Sequence, residues 1–117
     1  MVNPIPAPEP LEIKPREKRG PLEKDIERTV CAFAREKGFL TYKFTSPNRR
    51  SVPDRLLISP SGEVFFIEFK ARGKKPTPGQ AEEHRILREH QQLVFVIDTV
   101  ESGKAVIEDM TRSWLDV

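Results

Sequence analysis

The chain has 117 residues, of which 37% are hydrophobic and 32% charged, and a formal net charge of +2. This length corresponds to one small domain, and no apolar run approaches the length of a transmembrane helix. A single cysteine, Cys31, excludes an internal disulfide and a cysteine-based zinc site, and two histidines are too few for a zinc enzyme built on imidazoles. Any bound metal is therefore expected to take oxygen ligands. The N-terminal sequence lacks the features of a secretory signal, so we expect a cytoplasmic protein.

The chain is predicted to begin with a tail. Residues 1–20 are rich in proline and lack a hydrophobic period, so we expect them to be flexible, ahead of one domain at residues 21–117. Apolar residues at helical spacing predict a first helix that begins at Pro21 and ends before Gly38. The side chains expected to face the core are Leu22, Ile26, Thr29, Val30 and Phe33.

Four strand-like segments follow, at residues 39–44, 54–58, 63–71 and 93–97. Between the last two, Thr77 and Pro78 mark the start of a helix that runs to about His90. The C-terminal segment fits either a helix or a short edge strand. The predicted order is α-β-β-β-α-β-α, an α/β (α+β) fold in which helices flank a mixed central sheet.

Charged residues interrupt the most hydrophobic strand. Val64, Phe66, Glu68 and Lys70 alternate along one face of segment 63–71, and the other face is apolar, so we predict a central strand covered on both sides. Charges are seldom placed there without a partner or a function.

Asp54 is a third charged residue that we expect near Glu68 and Lys70, and it comes just before the neighbouring strand. A hairpin turn over residues 59–62 pairs Ile58 with Glu63 and thus Asp54 with Ile67, one residue short of Glu68. We therefore expect a bulge or a splay of the strands to bring the two carboxylates together.

Two adjacent carboxylates repel each other, and a divalent cation relieves the repulsion. Mg²⁺ and Mn²⁺ prefer oxygen ligands, which Asp54, Glu68 and the backbone carbonyl of Phe69 would supply. Lys70 would orient or deprotonate the attacking water and stabilise the charge that develops in the transition state. The alternative, a salt bridge from Glu68 to Lys70 or Arg55, stays open at this point.

Positive charge is concentrated between Arg49 and Lys75, which suggests a polyanionic partner. The candidates for phosphate contacts are Lys43, Arg49, Arg50, Lys74 and Lys75. The alternative is that these side chains only confer solubility. His84 is expected at the border of the core rather than in catalysis.

Five segments show a resemblance to a known family, and in chain order they are EKDIE, KFTSPNRRSVPDR, FFIEFKA, GKKPTPGQ and VFVID. Together, over residues 23–100, they resemble the VRR-NUC (virus-type replication-repair nuclease) domain of the PD-(D/E)XK superfamily. This resemblance implies a restriction-endonuclease-like fold and DNA cleavage that depends on Mg²⁺ or Mn²⁺. For stand-alone members, typical of phages and prophages, it further implies homodimers that cut four-way (Holliday) junctions, with no small-molecule cofactor and no membrane. The alternatives are a nuclease of flaps or plain duplex and an inactive nucleic-acid-binding module.

The resemblance also assigns site residues. Asp54 and Glu68 become metal ligands and Lys70 the catalytic lysine. A glutamate of the first helix completes the metal site, with Glu27 as first choice and Glu23, one turn earlier, as second. Gln80 matches a glutamine at the start of the following helix and is expected to bond near the site or to reach DNA.

Overall fold

The computed structural model describes residues 22–112, which form three helices and one four-stranded sheet. In chain order the elements are α1 (Glu23–Glu36), β1 (Leu40–Lys43), β2 (Arg55–Ile58), β3 (Val64–Phe69), α2 (Pro78–Glu89), β4 (Leu93–Ile97) and α3 (Val100–Arg112). The predicted order is confirmed, and the C-terminal segment that the sequence left open is a helix. The proline-rich segment 1–20 and Pro21 lie outside the described residues. Within 22–112, no helix combines the length and apolarity needed to cross a bilayer.

The sheet is mixed, as predicted, with the strand order β1-β2-β3-β4. The β1–β2 and β2–β3 pairs are antiparallel, and β3 and β4 are parallel with α2 as the crossover between them. Strand β3 is central, and all its residues except Val64 are buried. Phe65, Ile67 and Phe69 pack in the core with α1 and α3. Glu68 points to the opposite face, which α2 covers.

Helix α1 buries a slightly different stripe from the one that the sequence predicts. Its buried residues are Ile26, Val30, Cys31 and Ala34. Leu22 is 55% exposed and Thr29 is also exposed, so these two predictions are wrong. The helix packs against the sheet and α3 together, and Cys31 and Ala34 belong to the same buried core.

Helices α1 and α3 approach each other closely at one point. A Cβ atom added to Gly103 of α3 would lie 2.4 Å from Val30 Cγ2 and 3.1 Å from Ile97 Cγ2. These distances are shorter than van der Waals contact, so only glycine fits between α1 and β4. Ile107 and Met110, further along α3, are buried in the same core.

The β2–β3 hairpin has a different register from the predicted one. Ile58 pairs with Val64, not with Glu63, and Arg55 pairs with Ile67. Ser59 and Glu63 close a three-residue loop, because Ser59 N–H donates to the Glu63 carbonyl at 2.9 Å. Gly62 has a φ of +93°, the conformation typical of the last position of such a loop. One residue further along this register, Asp54 lies opposite Glu68 without a bulge, so the expected bulge or splay is unnecessary.

Candidate active site

Asp54 is held at the start of β2 by the backbone of β3. Its Oδ2 accepts a hydrogen bond from Phe69 N–H at 2.7 Å. Opposite residues of an antiparallel pair share a face of the sheet, so the Asp54 and Glu68 side chains lie on the same side. Burial raises the pKa of Asp54, the hydrogen bond from Phe69 opposes the rise, and the nearby charge of Glu27 adds to it.

Glu68 is a carboxyl group in the interior, with 1% of its surface exposed. Burial, followed by repulsion from Asp54, raises its pKa from 4.5 to about 7, although Lys70 opposes the rise. Lys70 Nζ lies 3.7 Å from Glu68 Oε2. The structure therefore brings together the two acids and the lysine that the sequence selected, and the salt bridge considered as the alternative is part of this cluster.

Gln80 joins the cluster to the first turn of α2. Thr77 and Gln80 form a capping box, in which Thr77 Oγ1 accepts from Gln80 N–H and Gln80 Oε1 accepts from Thr77 N–H. The other end of the same amide, Nε2, donates to Glu68 Oε2 at 3.1 Å. Helix capping thus fixes the orientation of the Gln80 amide, and the amide in turn fixes one oxygen of Glu68.

His84 was not selected from the sequence as a site residue, yet it faces Glu68 from α2. It is 1% exposed, and its Nε2 lies 3.6 Å from Glu68 Oε1. Neither of these two buried atoms has a hydrogen-bond partner among residues 22–112. Burial lowers the pKa of His84 below its ordinary value of 6.5, and the charges of Arg88 and Lys70 lower it further. The imidazole is therefore neutral at physiological pH.

The glutamates of α1 stand at the margin of this cluster. Glu27 Oε2 accepts from Arg55 Nε at 2.6 Å, in a half-buried ion pair. Its charge acts on Asp54, whereas the charge of Glu23 acts on Glu68. Within residues 22–112, no three Asp, Glu, His or Cys side chains come close enough together to hold a metal ion. The geometry thus does not draw Glu27 into the cluster, and its ranking above Glu23 stays a prediction.

The acidic pair nevertheless fits a divalent cation by its chemistry. Glu68 Oε1 is a buried oxygen without a donor among the described residues, and burial raises the pKa of both carboxyls, so the protein alone stabilises their charged forms poorly. Carboxylate oxygens are the ligands that Mg²⁺ and Mn²⁺ prefer. Asp54 and Glu68 are therefore suited to hold such an ion, together with the predicted carbonyl of Phe69.

The predicted phosphate-contacting residues differ in their surroundings. Lys43, Arg50, Lys74 and Lys75 are exposed. Arg49 is also exposed, but its guanidinium makes two hydrogen bonds to the buried Glu83 of α2, Nε to Oε2 at 3.1 Å and Nη2 to Oε1 at 2.7 Å. This pair fastens the loop between β1 and β2 to α2.

Comparisons with known proteins agree with this architecture, although no family model matches the chain. The chain is 46% identical over 77 residues to "Putative nuclease p44" of Acyrthosiphon pisum secondary endosymbiont phage 1, an alignment that covers 66% of this chain and 83% of that protein. It is also similar to a solved structure named "VRR_NUC domain", with a TM-score of 0.69, 30% identity, and coverage of 74% of this chain and 94% of the other. A second, "VRR_NUC domain protein", has a TM-score of 0.66 at 17% identity over 77% of this chain and 88% of its own, and supports the fold alone.

A mixed four-stranded sheet with flanking helices, shared with the solved VRR_NUC structure, matches the restriction-endonuclease-like class of fold that the resemblance implies. Within that class, the family is identified by the sequence identity to the relatives and by the fraction of each relative that the chain covers. The chain belongs to the VRR_NUC family of nuclease domains, of the phage type.

Proposed function

We propose that this domain is a DNA endonuclease that depends on Mg²⁺ or Mn²⁺ and cuts four-way junctions. The observation that carries the proposal is the β2–β3 register, which sets Asp54 opposite Glu68 with Lys70 Nζ 3.7 Å from the Glu68 carboxylate. Two acids and one base at a single point of a buried strand pair form the minimum machinery of metal-assisted phosphodiester hydrolysis.

The ion would be held by Asp54, Glu68 and the Phe69 carbonyl, with Glu27 as the further carboxylate and Glu23 as second choice. When bound, Mg²⁺ or Mn²⁺ polarises a phosphodiester and lowers the pKa of a coordinated water. The protein's own contribution begins with orientation. Phe69 N–H keeps one Asp54 oxygen in place, and a carboxylate oriented in this way loses less conformational entropy when it binds an ion.

Lys70 would act on the attacking water and on the phosphate. Its side chain is only 13% exposed, and its ammonium lies beside Glu68, so the group is largely shielded from bulk solvent. A cation at this position orients the water by hydrogen bonding and stabilises the negative charge that develops on the phosphate oxygens. Both roles are stronger in a partly water-excluded site.

DNA would be held through its phosphates. Lys43 and Arg50 lie near the end of β1 and on the loop that leads to Asp54, and Lys74 and Lys75 lie on the loop after Lys70. Contacts of this type fix the position of a duplex without reading its sequence. Arg49 remains a candidate for the same role, although its guanidinium is engaged by Glu83.

A resolvase must nick two strands related by two-fold symmetry, and a chain with one site meets this need as a homodimer. We propose that residues 21–117 are the nuclease domain. We also propose the cytoplasm of a bacterial or phage-infected host cell as the site of action. Its reducing environment suits the buried free thiol of Cys31.

The decisive experiment incubates the protein with labelled four-way junction, flap and duplex DNA, with and without Mg²⁺ or Mn²⁺. We expect paired nicks in the junction that chelation abolishes, and Asp54→Ala should bind the junction without cutting it. The control Asp109→Ala changes an exposed acid of α3 and should cut normally. Binding without cleavage by the unmodified chain would mean an inactive binding module, and preferential cutting of flaps or duplex would refute the junction assignment. Light scattering tests the homodimer.

A further inference from the structure

His84 is a buried, polar side chain that the proposed chemistry does not use. Its Nε2 and the Oε1 of Glu68 have no hydrogen-bond partner in the part of the chain that the structure describes, are both shielded from solvent, and lie only 3.6 Å apart. This distance is slightly longer than a hydrogen bond, and closing it by about half an ångström would pair both atoms. Buried polar atoms without a partner are rare because each costs the free energy of its lost hydration. Two such atoms that face each other indicate a hydrogen bond that serves the function of the site.

Helix geometry explains why the contact involves this residue. Gln80 and His84 are four residues apart on α2, so their side chains lie on the same face of the helix, one above the other. Gln80 Nε2 already donates to one oxygen of Glu68, Oε2, and His84 Nε2 faces the other oxygen, Oε1. The two side chains therefore reach both oxygens of a single carboxylate from one rigid element.

We propose that His84 is a positioning residue, which donates its Nε2–H to Glu68 Oε1 so that α2 holds both oxygens of the carboxylate in the orientation required for an ion. This inference rests on the proposed function for its purpose, though not for the contact itself. Each carboxylate oxygen has two lone pairs, so an oxygen that accepts from α2 keeps a second lone pair for a cation.

The geometry of the ring favours a donor role. An imidazole with a single proton carries it on only one of its two nitrogens, and Nε2 is the nitrogen that faces Glu68. The tautomer with the proton on Nε2 is the one that satisfies an ionised Glu68. Loss of an outer hydrogen bond to a metal-binding side chain typically weakens metal affinity by about 10- to 100-fold.

The test compares two amides that differ in reach. His84→Gln places its amide nitrogen where the imidazole has Nε2, whereas His84→Asn places it where the imidazole has Nδ1, short of Glu68. The readouts are the Mn²⁺ dissociation constant from titration calorimetry and the Mn²⁺ concentration needed for half-maximal cleavage. We expect His84→Asn to bind Mn²⁺ at least about tenfold more weakly and His84→Gln to bind it close to normally. The same substitutions at His90, an exposed residue just after α2, are the controls and should change neither readout.

Either of two binding results would overturn the proposal. Normal Mn²⁺ affinity in His84→Asn would mean that the ring only fills space, and equal loss in both variants would mean that the shape of the ring matters rather than its donor. The tautomer of the unmodified chain, read from long-range ¹H–¹⁵N correlations of the histidine rings, needs no variant to fold. A proton on Nδ1 of His84, at an alkaline pH where Glu68 is ionised, would refute the contact. If the unmodified chain neither binds Mn²⁺ nor cuts DNA, the proposed function fails, while the tautomer still decides whether His84 donates to Glu68.

Discussion

Substitution of Glu68 by glutamine should make the metal-free protein more stable while removing its activity. Glu68 is 1% exposed, and its pKa rises from 4.5 to about 7. A rise of this size means that the folded state disfavours the charged carboxyl by about 3 kcal/mol relative to the unfolded chain. Glutamine has the same shape and no charge, and its amide oxygen can accept the hydrogen bond from Gln80. The substitution should therefore recover up to about 3 kcal/mol of stability at alkaline pH.

The pH dependence has a definite sign. A carboxyl group whose pKa is higher in the folded state binds more protons there, so the native chain loses stability as pH rises from about 4.5 to about 7. Below this window Glu68 is protonated in both states, and the variant has no advantage from charge. Above it the advantage is complete. The difference in unfolding free energy between Glu68→Gln and the unmodified chain should thus grow across this window and then level off.

Urea unfolding with chelator present, repeated at several pH values across the window, measures this difference. Addition of Mn²⁺ at about 100 times its dissociation constant should stabilise the unmodified chain by about 2.7 kcal/mol and leave the variant nearly unchanged, which removes most of the variant's advantage. Asp109→Asn, which changes an exposed acid of α3, is the control and should show no such pH-dependent gain in unfolding free energy. A Glu68→Gln protein that is less stable than the unmodified chain by the same amount at every pH would refute the reasoning.

Three further outcomes are expected. Lys70→Ala should slow single-turnover cleavage by about 10²- to 10⁴-fold and leave Mn²⁺ binding measurable, since the ammonium acts on water and phosphate rather than as a ligand. Glu27→Gln should weaken Mn²⁺ binding more than Glu23→Gln does, as measured by titration calorimetry, if Glu27 is the further carboxylate. Arg50→Ala should reduce the slope of log K against log salt for junction binding by about 1, whereas Arg49→Ala should chiefly lower the thermal midpoint, because it leaves Glu83 without its partner.

Each of these outcomes has a clear contrary result. Cleavage at the normal rate by Lys70→Ala would remove that residue from the mechanism. Equal losses in the two α1 variants would leave the choice of Glu27 without support. A change in the salt slope for Arg49→Ala, with an unchanged thermal midpoint, would mean that its guanidinium leaves Glu83 to bind phosphate.

The elements of this fold could be predicted because their signals are local. Proline at the start of α2, the capping residue Thr77 and the apolar run 93–97 each specify a boundary without reference to the rest of the chain. The predicted hairpin register is wrong by one residue, because the sequence of the turn is compatible with both a four-residue and a three-residue loop. Gly62 at the end of the loop is the signal that decides between them, since a left-handed residue in this position closes a three-residue turn.

The site could be predicted only as far as residue types and the family resemblance specify it. Asp54, Glu68 and Lys70 were found because charges stand out against an apolar strand. His84 was missed because its spacing from Gln80 becomes informative only when the face of α2 is known to cover Glu68. The engagement of Arg49 by Glu83 is a contact across 34 residues of chain, and no local pattern specifies such a contact.

The close approach of Gly103 to Val30 has a consequence for how the domain is assembled. Helix α1 stands first among the described elements and α3 stands last, so the two meet only after a loop of more than sixty residues has closed. The contact between α1 and α3 is therefore expected to form late in folding, after the hairpin with its short-range pairing. A chain truncated before Gly103 would keep the strands next to Asp54 and Glu68, while α1, the helix that carries Glu23 and Glu27, would keep its contact with the sheet and lose its contact with α3.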